Sequence, residues 1–409
     1  MQIVVIGAGA AGLMAAMEAS RRGADVVLLE KNNKTGVKIL MSGGTRCNLT
    51  HDTDARGIAE AFGHARRFLQ PSLGAFGPRD VVRLFNDSGV ETKIESTGKV
   101  FPVSNRAVHV RDALHRLAVE SGVEIRTGVG VTSLRPIEAG WQLENSAGTI
   151  HAERVIVTVG GKSWPGCGTT GDAYKWMEAL GHTVVTPRPA LVPLVGGLEW
   201  MHELSGLTLE DVTARVLPAE GKQKPLAVRR AAFLFTHFGF SGPAAMDVSG
   251  VMTAVESIEK VKLRLDLLPA MSEEEIRTGL QNRSRDGGRL KVATLVSRWL
   301  PNRLATQLTT LIDGDFYLAE LPKSSRETLI ANLKQLHLPV TGTRGFDKAE
   351  VTAGGVDLKE IDPRTMQSRR HPNLFVAGEL LDVDGPIGGY NFQAAFSTGR
   401  AAGIAAATM

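Results

Sequence analysis

The fold of this chain is decided by residues 2–30, which read QIVVIGAGAAGLMAAMEASRRGADVVLLE. The apolar, β-branched run at 2–6 predicts a buried parallel strand. The glycine loop 7–12 follows it, residues 13–22 are typical of a helix, and residues 24–30 predict a second strand. The stretch therefore predicts a βαβ unit.

Gly7, Gly9 and Gly12 fit the G-x-G-x-x-G pattern of dinucleotide-binding loops. The first glycine permits a tight turn, the second lets a pyrophosphate approach the backbone, and the third permits close helix packing. Glu30 stands at the end of the second strand, where a carboxylate can accept hydrogen bonds from ribose hydroxyls. Because strand, glycines, helix, strand and acid occur in order, a dinucleotide site is favoured over a chance glycine-rich turn.

Two later segments also read as parallel strands that end in glycine. Residues 155–159 run into Gly160-Gly161, and residues 374–377 run into Gly378-Glu379. Strands that point into a cofactor crevice commonly end in this way. Their wide separation indicates that one domain is built from both ends of the chain.

The middle of the chain differs in composition and pattern, with fewer glycines and several runs typical of β-strands. Helical patterns follow at 272–280 and 292–311. We therefore predict an α/β fold: a split Rossmann-type domain with an inserted β-plus-helical domain. The predicted segments are 1–188 and 343–409 for the split domain and 189–342 for the insertion.

A second glycine match at 166–171 does not predict a separate NAD(P)H domain. No strand leads directly into it, because residues 162–165 intervene, and no acid or arginine ends a strand about twenty residues later. With one Rossmann unit in a split domain, FAD is a better interpretation than NAD.

Composition excludes several classes of protein. Hydrophobic residues make up 43% of the 409 and charged residues 22%, which is typical of a globular protein. No apolar run approaches the roughly 18 residues of a membrane span, and a basic signal-peptide region is lacking. Cys47 and Cys167 do not suggest a disulfide framework, and no His, Cys or carboxylate set has metal-ligand spacing. We expect a cytoplasmic protein without a membrane or metal partner.

Residues 38–50, KILMSGGTRCNLT, resemble the YhiN-like or BaiN-like FAD-binding proteins, which include NAD(P)/FAD-dependent and aminoacetone-oxidase-type oxidoreductases. The likeness covers nearly the whole chain. Further blocks that carry it are 163–165 (SWP), 189–194 (PALVPL), 234–237 (LFTH), 351–356 (VTAGGV) and 377–391 (AGELLDVDGPIGGYN).

The resemblance implies a split FAD-binding domain, an inserted β-barrel and helical domain, and hydride transfer at flavin N5. Its main functional implication is reduction of a carbon–carbon double bond in a small-molecule substrate, with NADH or NADPH as transient reductant. The alternatives are reduction of uridine to dihydrouridine in ribosomal RNA, oxidation of small amines, and a flavin-binding protein without turnover.

The candidate catalytic residues are Cys47, His237 and Tyr390. Cys47 could donate a proton to carbon, or it could be a small buried filler. His237 follows an apolar run and could face the substrate, or it could be a structural histidine. The candidate cofactor-binding residues are Gly7, Gly9, Ala10, Ala11, Gly12, Glu30, Lys31, Lys38, Ser42, Gly43, Gly44, Arg46, Asn48, Gly160, Gly161, Gly378, Glu379, Gly388, Gly389, Tyr390 and Asn391.

Gly388-Gly389 open a predicted final helix at 390–407. Its N-terminus would place positive potential near flavin N1 and the C2 carbonyl, where negative charge accumulates on reduction. The alternative is a plain glycine turn before a packing helix. Glu379 is favoured for a ribityl hydroxyl, whereas Asp384 is as well explained by shaping the loop.

A basic stretch runs from Arg283 to Arg303 and is opposed within it only by Asp286. It could contact the phosphates of ribosomal RNA, although a solvated helix face is the commoner meaning of such a run. Its cations are Arg283, Arg285, Arg289, Lys291, Arg298 and Arg303.

Overall fold

A computed structural model of the chain describes residues 1–221, 224–286, 289–312, 314 and 316–409, without the side chains of 282–286. Its contacts define two compact units: a first unit of Met1–Pro189 with Phe346–Met409, and a second unit of Ala190–Gly345. Each unit encloses its own core of buried apolar side chains.

The strands are β1 (Gln2–Ile6), β2 (Asp25–Glu30), β3 (Thr50–His51), β4 (Thr92–Ile94), β5 (Lys99–Pro102), β6 (Glu124–Thr127), β7 (Val131–Ile137), β8 (Gly140–Asn145), β9 (Gly148–Ala152), β10 (Arg154–Val157), β11 (Val184–Ala190), β12 (Leu194–Gly196), β13 (Thr208–Pro218), β14 (Ala227–Thr236), β15 (Gly239–Ser241), β16 (Val261–Asp266), β17 (Leu336–Leu338), β18 (Val340–Thr343), β19 (Val351–Val356) and β20 (Leu374–Val376).

The α-helices are α1 (Ala10–Ser20), α2 (Val37–Met41), α3 (Ala55–Ala61), α4 (Arg66–Ala75), α5 (Pro78–Asp87), α6 (Ala107–Glu120), α7 (Asp172–Ala179), α8 (Glu199–Glu203), α9 (Gly242–Ala254), α10 (Glu273–Asp286), α11 (Val292–Val296), α12 (Asn302–Thr310), α13 (Lys323–Gln335) and α14 (Tyr390–Thr408). Among the described residues, no helix is both long enough and apolar enough to cross a membrane.

The first unit is built on a five-stranded parallel sheet with the order β20-β10-β1-β2-β6. β20 comes from the C-terminal segment and pairs with β10, with Leu374 opposite Val155. The central strand β1 is buried almost throughout, as expected for a parallel strand covered on both faces. The prediction of an α/β fold with a Rossmann-type sheet is confirmed.

Glycines bring two helices of the first unit into close contact. A Cβ on Gly399 of α14 would stand 2.3 Å from the carbonyl oxygen of Ala11, and one on Gly403 would stand 2.2 Å from that of Ala15. These distances are far shorter than a van der Waals contact, so α14 packs backbone to backbone against α1.

The second unit contains a seven-stranded sheet with the order β17-β16-β13-β14-β15-β12-β18. α9 packs against β13 and β14, and buried residues of both helices and strands form the core. The β-barrel that the resemblance implies stays a prediction.

The prediction of one continuous helix over 292–311 is wrong. α11 ends at Val296 and α12 begins at Asn302, immediately after Pro301. Proline has no N–H for an intrahelical bond and disfavours helical geometry at the preceding residue, here Leu300.

Gly399→Ala should destabilise the first unit, because its methyl group would collide with the α1 backbone. We expect a loss of about 1–3 kcal/mol in the free energy of unfolding, as for other overpacked contacts. Gly74→Ala in α4 is the matched control, since no described atom lies within 4 Å of its added Cβ. That variant should gain up to about 1 kcal/mol from helix propensity. Equal melting temperatures for the two variants would contradict the packing argument.

Candidate cofactor site

The glycine loop lies between the end of β1 and the start of α1. Gly7 has a φ of +96°, which favours glycine. An added Cβ on Gly12 would stand 1.8 Å from the Gly7 carbonyl oxygen, so this position is closed by the protein itself. By contrast, no described atom lies within 4 Å of a Cβ built on Gly9. Gly9 is also the N-cap of α1, and the N–H groups of the first turn of a helix lack intrahelical partners and favour an anion.

Glu30 ends β2 and is buried. One carboxylate oxygen accepts from the Ala8 N–H at 2.8 Å, and the other accepts from the backbone and side-chain nitrogens of Asn32, each at 2.8 Å. The carboxylate therefore orients the glycine loop directly. Its contact with a ribose stays a prediction.

Lys38 and Glu379 form a partly buried ion pair. The Lys38 ammonium donates to Glu379 and to the Ser163 hydroxyl, both at 2.6 Å. The second Glu379 oxygen accepts from Ser163 at 2.7 Å and from the Thr352 N–H at 2.8 Å. Sequence reasoning missed Ser163 and Thr352 as site residues, although both lie within the blocks that carry the family resemblance.

Three predicted glycines line the ends of β10 and β20. A Cβ on Gly161 would stand 2.4 Å from the Thr352 hydroxyl, and one on Gly378 would stand 2.9 Å from the Ala11 side chain. Gly160 has a φ of +77° and Gly378 a φ of +73°. Hence the strand ends, the Lys38–Glu379 pair and the α1 N-terminus belong to one region of the first unit.

The loop after α2 holds a buried thiol. Gly43, Gly44 and Cys47 all have positive φ values. Cys47 is fully buried, and burial raises its pKa to about 12 despite a hydrogen bond with Ser42. The thiol therefore carries its proton at neutral pH, as a proton donor must. Its catalytic role stays a prediction.

Arg46 belongs to the same loop, but its partners lie on the hairpin formed by β4 and β5. Its guanidinium donates to Glu95 at 2.7 Å and lies over the Phe101 ring, 4.0 Å from the centroid. Any contact with a phosphate or substrate anion would share a charge that already has a carboxylate partner. The contact of Arg46 with the cofactor stays a prediction.

α14 begins directly after Gly389, which has a φ of +92°. The Asn48 side-chain amide forms hydrogen bonds through both its oxygen and its nitrogen when these two atoms exchange places. The oxygen then accepts from the Gly389 N–H at 3.0 Å, and the nitrogen donates to the Thr50 carbonyl at 2.9 Å. The buried Gln393 also accepts from the Thr50 hydroxyl at 2.6 Å. Asn48 therefore links the 42–48 loop to the N-terminus of α14.

Tyr390 and Asn391, the first two residues of α14, stabilise the turn at 385–389 that precedes the helix. The Tyr390 ring stacks on His51 with centroids 4.8 Å apart, and His51 Nδ1 lies 3.0 Å from the Gly388 carbonyl oxygen. The Asn391 amide bridges the N–H and carbonyl of Gly385, each at 2.8 Å. The structure thus gives Asn391 a loop-shaping contact, while its cofactor contact stays a prediction.

A histidine and two aspartates meet beside this turn, although no sequence spacing indicated it. Ligand atoms of His64, Asp382 and Asp384 lie within 4.8 Å of one another. Hydrogen bonding to Asp382 raises the pKa of His64 to about 9, so the imidazole is charged at neutral pH. Burial raises the pKa of Asp384, an effect that the charges of His64 and Arg188 oppose.

The Tyr174 hydroxyl is buried without a hydrogen-bond partner among the described residues. Desolvation, followed by the charges of Glu379 and Asp382, raises the pKa of this phenol. An orphaned donor and the open space at Gly9 both fit a polar ligand such as a flavin dinucleotide.

The remaining predicted residues are paired with other groups, lie in the second unit or fall outside the described part of the chain. Lys31 pairs with Asp172 at 2.6 Å. His237 lies in the second unit, exposed in the turn between β14 and β15. The side chains of Arg283 and Arg285 lie outside the described residues.

The comparisons with known proteins agree with this geometry. Residues 1–405 match the family described as HI0933-like protein Rossmann domain. The 3-dehydro-bile acid delta(4,6)-reductase of Clostridium scindens is 33% identical, with 99% of each chain covered. The ribosomal RNA dihydrouridine synthase of Escherichia coli is 32% identical, covering 97% of this chain and 95% of that protein. Its Haemophilus influenzae counterpart is 31% identical, covering 98% and 97%.

A solved structure shares the fold. The 3-ketosteroid-delta4-(5alpha)-dehydrogenase of Rhodococcus jostii, in complex with 4-androstene-3,17-dione, has a TM-score of 0.50 and 17% identity, covering 100% of this chain and 96% of that one. The chain belongs to the HI0933-like family, so the predicted family is confirmed. Like the other members of this family, it is an FAD-dependent oxidoreductase.

Two glycine variants should separate flavin binding from folding. Gly9→Val places its side chain in the open space, so the protein should fold yet lose its FAD. Gly12→Ala collides with the Gly7 backbone and should lose both the fold and the flavin. The measurements are the flavin-to-protein absorbance ratio and the melting temperature of each purified variant. A yellow Gly9→Val protein with the wild-type flavin ratio would contradict the placement of the diphosphate.

Proposed function

We propose that this chain reduces a carbon–carbon double bond of a small organic molecule. The observation that carries the proposal is the 33% identity, across 99% of both chains, to a relative named as a delta(4,6)-reductase. Bound FAD would supply hydride chemistry at N5. NADH or NADPH is the expected reductant, and a cytoplasmic location would provide both.

The residues of the first unit would hold the cofactor at several points. The Gly9 loop and the α1 N-terminus would receive the diphosphate, and Glu30 would accept from a ribose hydroxyl. Glu379, with its donors Lys38 and Ser163 at 2.6 and 2.7 Å, would face the ribityl chain. The α14 N-terminus would offer positive potential to the negative charge of the reduced ring.

Reduction of a double bond also requires a proton at the carbon next to the one that receives hydride. Cys47 holds its proton because burial raises its pKa to about 12. Tyr390 stands at the head of α14, and His237 is exposed in the turn between β14 and β15. We propose these three side chains as the proton donor or its positioning groups.

Anaerobic half-reactions test this assignment. NADH or NADPH should reduce the flavin, and an enone steroid should reoxidise it. Removal of the proton donor should slow only the reoxidation, by about 10²–10⁴-fold for a general acid. We would measure both steps by stopped flow for Cys47→Ser, Tyr390→Phe and His237→Gln.

Cys167→Ser is the matched control, because Cys167 is the second buried free thiol. It should leave both rates unchanged. Reoxidation at the wild-type rate in all three test variants would exclude their role as proton donors. Reduction of the flavin by small amines would favour an amine oxidase instead, and the absence of reduction by every donor would favour a flavin-binding protein without turnover.

A second candidate function is reduction of uridine in ribosomal RNA. Two relatives above 30% identity are named as ribosomal RNA dihydrouridine synthases. The basic stretch supports it to a limited extent: Arg289 and Arg298 are exposed, whereas Arg303 donates to the Glu203 carbonyl.

The RNA candidate predicts a phenotype in cells. Cells that lack this protein should lose a dihydrouridine from ribosomal RNA, and Arg283→Glu with Arg285→Glu and Arg289→Glu should impair its restoration. Removal of each cation that binds a phosphate should lower the salt slope of RNA binding by about 0.7–0.9. Unaltered dihydrouridine in the deletion strain would exclude this function. Full restoration by the triple variant would exclude only the basic stretch.

A further inference from the structure

One face of the second unit's sheet carries three cations, Arg215, Lys262 and Arg264, beside His337. Arg215 of β13 lies directly opposite Arg264 of β16, and Arg264 lies opposite His337 of β17. On the other side, Arg215 is paired with Val228 of β14. Together with Lys262, two residues before Arg264, these residues define what we call the basic sheet face.

The opposite face of the same strands forms the apolar core. Ala214, Leu265 and Leu336 are paired across β13, β16 and β17 and are all buried. Side chains alternate between the two faces of a strand, so the row with Arg215 and Arg264 points away from that core. Lys262 and His337 are exposed accordingly.

Most of this positive charge lacks a carboxylate partner among the described residues. Lys262 donates to the Ala219 carbonyl at 3.0 Å, and Arg264 donates through Nη1 to the Gln335 side-chain oxygen at 2.7 Å. Arg264 Nε is buried without a partner in the same described set. Arg215 lies 3.6 Å from Asp266, which also pairs with Lys334 at 2.8 Å.

Asp266 offsets only part of the repulsion between these cations, because it also pairs with Lys334. Like charges that face each other across paired strands destabilise a sheet, and Arg215 faces Arg264 directly. Desolvation, followed by the charges of Arg264 and Lys262, lowers the pKa of His337. A polyanion bound over Lys262 and the arginines would relieve this repulsion.

We infer that the basic sheet face binds the phosphate backbone of an RNA. Arg215 of β13 stands opposite Arg264 of β16, on strands about 4.8 Å apart, and Lys262 stands two residues away along β16, so the three cations spread over the sheet rather than line one pocket. Arginine guanidinium groups match phosphate oxygens in a bidentate way. The flanking Val228 and Leu226 are 56% and 50% exposed, as on an open surface for an extended partner.

The choice of RNA over other polyanions rests on the second candidate function, because two relatives are named for ribosomal RNA. The surface itself is independent of the basic stretch at 283–303, because it rests on residues of β13, β16 and β17. Binding can therefore be tested without turnover.

The test uses Lys262→Gln with Arg264→Gln in the full-length protein and deproteinised bacterial ribosomal RNA as the probe. Removal of two cations that bind phosphates should lower the salt slope by about 1.4–1.8 and weaken binding at 0.1 M salt by roughly 25- to 60-fold. The control is Arg116→Gln with Arg126→Gln, which removes the same charge from exposed positions of the first unit. The control should bind RNA as the wild type does.

Several outcomes would overturn the inference: no RNA binding by the wild type, an unchanged slope in the double variant, or equally weakened binding in the control. Displacement of the RNA by millimolar inorganic phosphate would indicate a single-anion site and would overturn it as well. Where the double variant lacks a cooperative melt, Lys262→Gln alone carries the test, since it removes only a hydrogen bond to a backbone carbonyl. FAD content and flavin reduction, measured on the same samples, report separately on the proposed function.

Discussion

The first unit depends on the contact between Gly12 and the carbonyl of Gly7. There is no space for a Cβ at this point, because it would stand 1.8 Å from that oxygen. The contact holds the start of α1 against the end of β1, and Gly399 and Gly403 bring α14 equally close to α1. As a result, the helix that begins beside Gly9 positions the helix that begins at Gly389. At Gly12, Gly399 and Gly403 this packing leaves no space for a Cβ.

The ion pair in this region joins one residue near the start of the chain to one near its end. Lys38 and Glu379 are 341 positions apart in sequence, yet their charged atoms are 2.6 Å apart. Ser163 and the Thr352 N–H complete the donor set around the carboxylate. Removal of Glu379 would leave Lys38 partly buried beside unpaired donors, and removal of Lys38 would leave the carboxylate without its cation, so the pair should be regarded as one unit. Together these four residues join the N-terminal and C-terminal segments of the first unit.

Local patterns made the βαβ unit, the Gly389 turn and the family predictable from sequence. The glycines at 7, 9 and 12 require a particular backbone, and that requirement is visible in the sequence itself. Contacts made through space were not visible in this way: nothing near His64 indicates Asp382, and nothing near Asn48 indicates Gly389. The error at 292–311 has a local cause. The apolar periodicity continues through Pro301, but a proline has no N–H with which to continue the hydrogen bonds of a helix. Helical periodicity alone therefore predicted too long a helix.

The position of the second unit within the chain also has a structural reason. The chain leaves the first unit along β11 and returns along β19, and these two strands pair with each other in a two-stranded sheet. The pairing is close, since a Cβ on Gly354 would stand 2.5 Å from the Thr186 carbonyl oxygen. Because the exit and the return are neighbours, the intervening 190–345 segment can fold around its own core without separating β20 from β10. The parallel sheet can thus be completed by residues far along the chain, and the second unit can differ in surface charge from the first.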